Sequence, residues 1–117
     1  MESMNIQLLK ATKAYDNSDF ALAYELLQPL CDNDIPEALS MLGVMYQLGD
    51  GVERDGLKAV TYLERAVELG QGVAAHNLGT IYTTGLPGVE ADKSQSMSYY
   101  KKAKAMGAQF APNEFYK

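Results

Sequence analysis

The stretch "LGVMYQLGDGVERD", Leu42 to Asp55, returns with small changes as "LGTIYTTGLPGVEAD", Leu78 to Asp92. A catalytic site is normally built once; a unit that stacks on a copy of itself is built several times. Ala38 matches Ala74, Leu42 matches Leu78, Gly43 matches Gly79, Tyr46 matches Tyr82 and Gly49 matches Gly85, each 36 residues apart. One extra residue in "LPG" moves the offset to 37, at which Gly51, Val52, Asp55, Tyr62, Ala66 and Gly70 match Gly88, Val89, Asp92, Tyr99, Ala103 and Gly107.

The spacings are helical. Ala38, Leu42 and Tyr46 form an i, i+4, i+8 stripe, which predicts the first helix of a unit, helix A. Gly43 beside that stripe costs about 1 kcal/mol relative to alanine inside a helix. Its recurrence as Gly79 therefore implies a neighbouring helix too close for a side chain. Gly49 and Gly85 suit a left-handed helix end. The turn follows at Gly51-Val52 and Gly88-Val89, with the valine tucked beneath it. Asp55 and Asp92 are N-cap candidates for a second helix, helix B, and Asp92 with Gln95 has capping-box spacing. Helix B buries Ala59, Tyr62, Leu63, Ala66 and Leu69 in one copy, and Tyr99, Tyr100, Ala103 and Met106 in the other.

A worn copy comes first: "AYDNSDFALAYELLQPL" sets Tyr15 against Tyr46 and Ala23 against Ala59, with a tighter "DNSD" turn. Pro36 fits the first turn of the next helix, where its missing N–H is harmless. The end, "APNEFYK", begins another helix A, with Phe110, Phe115 and Tyr116 covering the last pair. Helices are predicted over 4–16, 19–31, 35–48, 56–69, 73–84 and 93–106, plus a short C-terminal one. The fold class is all-α: a short right-handed α-solenoid of antiparallel helix pairs, about three repeats plus a C-terminal half repeat. The 117 residues form one domain, divided as a degenerate repeat 1–34, repeats 35–71 and 72–108, and a truncated capping helix 109–117.

Composition narrows the function. Hydrophobic residues are 47% and charged residues 21%, an ordinary globular balance. No apolar run reaches the roughly 18–20 residues that span a membrane, and the start lacks a secretory pattern. The single Cys31 excludes an internal disulfide and fits a reducing cytoplasm. The net charge of −5 argues against nucleic acid as a partner. It is unevenly spread: residues 1–71 hold five Lys/Arg and twelve Asp/Glu, the remainder five and three. Lys101, Lys102 and Lys104 read as a solvated helix face, or else as an electrostatic handle for an acidic partner.

No metal, cofactor or catalytic motif is expected. Cys31 and His76 are separated by 44 intervening residues with nothing to pair them, and no H-E-x-x-H, C-x-x-C or phosphate-loop spacing occurs. Asp50, Glu53 and Asp55 lack the alternation of a calcium loop and read as turn and cap residues. Tyr46, Tyr62, Tyr82 and Tyr99 read as core with a hydroxyl at the edge; Met41, Met45 and Met97 read as packing.

Residues 38–70, "A-x3-LG-x2-Y-x2-G-x-GV-x2-D-x2-KA-x2-Y-x3-A-x3-G", resemble the Sel-one-like repeat, a relative of the tetratricopeptide repeat. Residues 74–107 follow the pattern with Gln95-Ser96 in place of Lys58-Ala59. The resemblance implies a solenoid acting as adaptor, scaffold or inhibitor in protein complexes, without catalysis or cofactor. It also implies a partner groove along the A helices. The matching positions are Ser40, Val44 and Gln47, then His76, Thr80 and Thr83, with Lys13 in the worn copy and Asn113 in the truncated one. This lining lacks the double-lysine clamp for a peptide carboxylate. Three functions stay open: a general protein or peptide adaptor; a dedicated inhibitor, such as an immunity or antitoxin protein; and a self-assembling unit forming homo-oligomers.

Overall fold

The computed structural model describes residues 3–107. Six helices of 13 residues each follow in order: α1 Met4–Asp16, α2 Phe20–Asp32, α3 Pro36–Leu48, α4 Gly56–Glu68, α5 Gly72–Thr84 and α6 Lys93–Ala105. They pack as three antiparallel pairs, α1–α2, α3–α4 and α5–α6, stacked through α2–α3, α4–α5 and α3–α5 contacts. No strand occurs among the described residues, so the chain is an α-solenoid, about 44 Å long. The helix expected over 109–117 lies outside the described residues.

The caps explain where helices start. Asp55 accepts from the Lys58 N–H at 3.1 Å and Asp92 from the Gln95 N–H at 3.0 Å. Each satisfies a helix donor that has no partner within the helix. The capping box is not closed at Asp92, because its own N–H donates instead to the Tyr82 carbonyl (2.8 Å). Asp55 does the same to Tyr46 (3.0 Å), so each cap is tied back to the end of its own helix A. Pro36 opens α3 without a side-chain cap. Gly49 ends α3 in the left-handed region (φ 76°, ψ 33°), whereas Gly85 ends α5 at φ 77°, ψ 167°. That second conformation feeds a tight Leu86–Val89 turn closed by two backbone hydrogen bonds of 2.8 and 2.9 Å. Pro87 lies inside this turn, in the stretch where the second unit is one residue longer.

One core runs the length of the stack, from Ala11 through Leu27, Leu42, Leu63 and Leu78 to Ala103. Leu27, Leu30, Leu42, Met45, Leu63, Leu78 and Ile81 are essentially inaccessible; each contributes roughly 1.5–3 kcal/mol by leaving water. An added Cβ on Gly43 would lie 2.7 Å from Leu63 Cγ, and one on Gly79 would lie 2.6 Å from the Tyr100 ring. The close approach inferred from the repeated Leu-Gly pair is therefore real. The repeat tyrosines meet face to face within each pair: Tyr46 on Tyr62 (5.9 Å between centroids, 5° between planes) and Tyr82 on Tyr99 (5.8 Å, 3°). In the worn copy Tyr15 instead meets Phe20 edge-on at 5.3 Å. Met41 and Met45 pack inward, but Met97 is 47% exposed. Ser96, Tyr100 and Ala103 form the stripe of α6 that faces inward, and Met97 lies one residue around the helix from it.

Asp34 occupies, with φ 55°, the unit-ending position that Gly70 and Gly107 fill in the later repeats. Aspartate tolerates this conformation better than most side chains. Its carboxylate accepts from Arg65 Nε (3.2 Å) and Nη2 (2.9 Å), and Arg65 Nη1 reaches Glu68 at 3.0 Å, linking the α2–α3 turn to the end of α4. Hydrogen bonding from Arg65 holds the Asp34 carboxyl below its usual range. A lowered folded-state pKa gives stability above the ordinary aspartate range that is lost as pH falls through the lowered value. Both groups are exposed, so the contribution is small and screened by salt. Arg65→Gln should lower the unfolding midpoint slightly at neutral pH and low salt. Once the pH has fallen through the lowered Asp34 value the variant should match the wild type; a difference that persists in acid would assign the effect to packing.

Candidate functional site: the groove between the A helices

A cavity of about 260 Å³ lies between α3 and α5. Its walls are Tyr15 from α1, Glu37, Ser40, Met41 and Val44 from α3, and Gln71, Val73 and Asn77 on the α5 side. Helical spacing puts positions 37, 41 and 44 on one face, and α3 turns that face to α5 because Ala38, Leu42 and Met45 are committed to the core. The walls are mainly apolar. Tyr15 is anchored from outside by a 2.5 Å hydrogen bond from its hydroxyl to Asp50 Oδ2. Burial first, then Asp50, pushes the Tyr15 pKa up to about 12, so the phenol stays neutral.

Ser40 is the unusual member of this lining. It is 7% exposed, and among the described residues its hydroxyl has no hydrogen-bond partner. The helical threonines Thr12, Thr61, Thr80 and Thr83 all return theirs to the carbonyl four residues back. A shielded, unpaired hydroxyl carries its desolvation penalty without compensation. Ser40→Ala should therefore leave the unfolding midpoint unchanged or raise it. A loss of more than about 1 kcal/mol in denaturant titration would mean that the hydroxyl is satisfied in solution.

Of the sequence-predicted positions among the described residues, only two line this cavity. Ser40 and Val44 share the cavity. Gln47 is half-buried one turn further on, where its backbone carbonyl accepts from Arg54 Nε at 3.2 Å. His76, Thr80 and Thr83 turn towards α6. The His76 ring lies 5.4 Å from that of Tyr100, and the Thr80 and Tyr100 hydroxyls are 3.1 Å apart. The Thr83 and Ser96 hydroxyls are 2.7 Å apart, and both lie within reach of the Gly79 carbonyl, at 2.8 and 3.0 Å. Burial lowers the His76 pKa. Lys13 lines a separate depression of about 450 Å³ with Lys10, Leu22 and Leu26 on the first helix pair. Asn113 lies outside the described residues. Sequence reasoning missed Tyr15, Glu37, Met41, Gln71, Val73 and Asn77. The spacing from Ser40 and Val44 would have led to Glu37 and Met41, whereas Tyr15 was read only as the worn copy's counterpart of Tyr46.

Cys31 is buried in α2, and burial first, then Asp32, raises its thiol pKa to about 12, leaving it un-ionised at neutral pH. Lys101, Lys102 and Lys104 are exposed along α6. No described helix is long and apolar enough to cross a membrane.

The chain is similar to known repeat proteins. A family model described as "Sel1 repeat" matches residues 36–71 and 72–107, the two regular units and not the worn first pair. Among solved structures, a Sel1 repeat protein from Oxalobacter formigenes superposes with a TM-score of 0.75 at 27% identity, covering 83% of this chain and 40% of that one. The protein c5321, a protective antigen present in uropathogenic Escherichia coli strains and displaying an SLR fold, gives 0.77 at 27% identity, covering 89% and 23%. This chain thus spans less than half the length of either structural relative. No curated protein matches it. Sel1 repeat proteins generally mediate protein–protein interactions, and the fold is typically a non-catalytic scaffold. With both regular units matched and the solenoid in place, the chain belongs to the Sel1 repeat family.

Proposed function

We propose that this protein is an interaction module, an adaptor that seats a segment of a protein partner in the groove between α3 and α5. The observation that carries this reading is the mainly apolar cavity of about 260 Å³ walled by Tyr15, Met41, Val44 and Val73. It is concave and open to solvent. Recognition grooves for peptides and helices share that character. Binding there would gain mostly from excluding water from Val44, Met41 and Val73, with the polar rim setting orientation.

The test is capture of partners from native extract by the wild type and by Val44→Glu. Circular dichroism and the unfolding midpoint must first show that the variant folds. A carboxylate in a mainly apolar contact should weaken a groove-bound partner at least about tenfold. A partner retained at full affinity would move the site to the loops, the convex face or the lysine-bearing α6. The identity of a lost partner separates adaptor from inhibitor: a toxic enzyme held one-to-one would favour inhibition. A second copy of this chain would favour self-assembly.

A further inference from the structure

We infer that the groove between α3 and α5 receives a cationic side chain with an apolar stem, a lysine or arginine of the partner; this rests on the groove being the partner site. Glu37 is the one charged residue in the cavity wall, and it makes no ion pair among the described residues. A carboxylate in the first turn of a helix is often explained by the helix dipole. That account is weak here, because α3 alone of the six helices has an acidic residue in its first turn. The repeat does not need it either: the matching position of α5 is Val73. Beside Glu37, one helical turn on, stands Ser40, whose buried hydroxyl is uncommitted. An acidic rim, a hydroxyl without a partner and walls of Tyr15, Met41 and Val44 together match a long aliphatic stem ending in N–H donors. An acidic side chain would meet Glu37 with like charge, and a short apolar one would leave both polar groups unanswered.

The experiment titrates the ¹⁵N-labelled protein with capped peptides of sequence Gly-Ser-Ala-X-Ala-Ser-Gly, where X is arginine, lysine, citrulline, norleucine or glutamate. The arginine and lysine peptides should shift the amides of Met41, Val44 and Val73. At low salt they should bind about tenfold more tightly than citrulline or norleucine, an advantage that shrinks as salt is raised. In Glu37→Gln the advantage should collapse to about one while norleucine binding is unchanged. In Ser40→Ala, arginine binding should fall severalfold. Norleucine binding as well as arginine, with shifts confined to the groove, would overturn the cationic preference but leave the groove as the site. Charge selectivity that survives in Glu37→Gln would equally overturn the assignment to that carboxylate. Full arginine affinity in Ser40→Ala would overturn the part given to the hydroxyl. Shifts that map away from α3 and α5, or no shifts with any peptide, would overturn both the preference and the groove reading on which it rests.

Discussion

Gly43→Val should lower stability by about 1–3 kcal/mol, the range for forcing methyl groups into a filled core. The first added carbon would lie 2.7 Å from Leu63 Cγ and 3.3 Å from the Ala59 carbonyl oxygen. Leu63 is itself fully buried and cannot swing aside into solvent. Leu63→Ala alone should cost about 2–5 kcal/mol through the lost transfer energy and the residual cavity. The double variant Gly43→Val/Leu63→Ala should then cost clearly less than the two combined, because the valine fills space that the leucine vacates. Denaturant titration of the four proteins measures this directly. Strict additivity would show that the glycine is not there to admit Leu63. Gly79→Val should be milder. Its obstacle is the Tyr100 ring, half-buried and nearer the surface.

Gly56→Ala should cost about 1–3 kcal/mol although it adds a single methyl group at the exposed-looking start of a helix. Its Cβ would meet the Pro87 carbonyl oxygen at 2.5 Å, Val89 Cγ2 at 2.9 Å and Leu86 Cβ at 3.0 Å. The nearest obstacle is backbone, held in place by the 2.8 Å hydrogen bond from the Gly56 N–H to that same carbonyl. This is where the α5–α6 loop of one unit rests on the helix B of the unit before it. The earlier junction is built with the glycine on the other side: a Cβ added to Gly51, in the α3–α4 loop, would lie 2.5 Å from Phe20 Cβ at the start of α2. Either arrangement brings loop and helix into contact, provided one member lacks a side chain. Gly56→Ala should therefore speed amide hydrogen exchange across Leu86–Val89 as well as lower the unfolding midpoint. A variant with native midpoint and native loop protection would contradict the junction as described.

Much of this architecture was legible in the chain itself. The 36- and 37-residue offsets and the i, i+4, i+8 stripes placed all six helices close to their observed ends, since helix registers and caps are local properties. Asp55, Asp92, Pro36 and Gly49 carry their roles in their own chemistry: an acceptor for free N–H groups, a missing N–H, a tolerated left-handed φ. Matching by identity had a limit, however. Asp34 performs the turn that Gly70 and Gly107 perform, and only its φ of 55° reveals the equivalence. The repeat also suggested Gly85 as a second left-handed cap, but α5 leaves through Gly85 with ψ 167° into the Leu86–Val89 turn.

The candidate site divides along the same line. Sequence could name Ser40 and Val44, because the resemblance to the Sel-one-like repeat carries its groove positions over onto single units. It could not place His76 and Thr80 beside Tyr100, or assign Tyr15 to the wall of a cavity formed mainly by the two following A helices. Those assignments depend on how one helix pair is set against the next. That setting comes from contacts between residues 20 to 40 positions apart, such as Gly51 with Phe20 and Gly56 with Pro87. What the sequence determined alone was the unit: its two helices, its caps, its buried stripes and its repetition. What only the tertiary structure decided was the angle and distance at which units meet. The groove, with its lone Glu37 and unpaired Ser40, exists because of that meeting, since a concave surface belongs to neighbouring helices jointly.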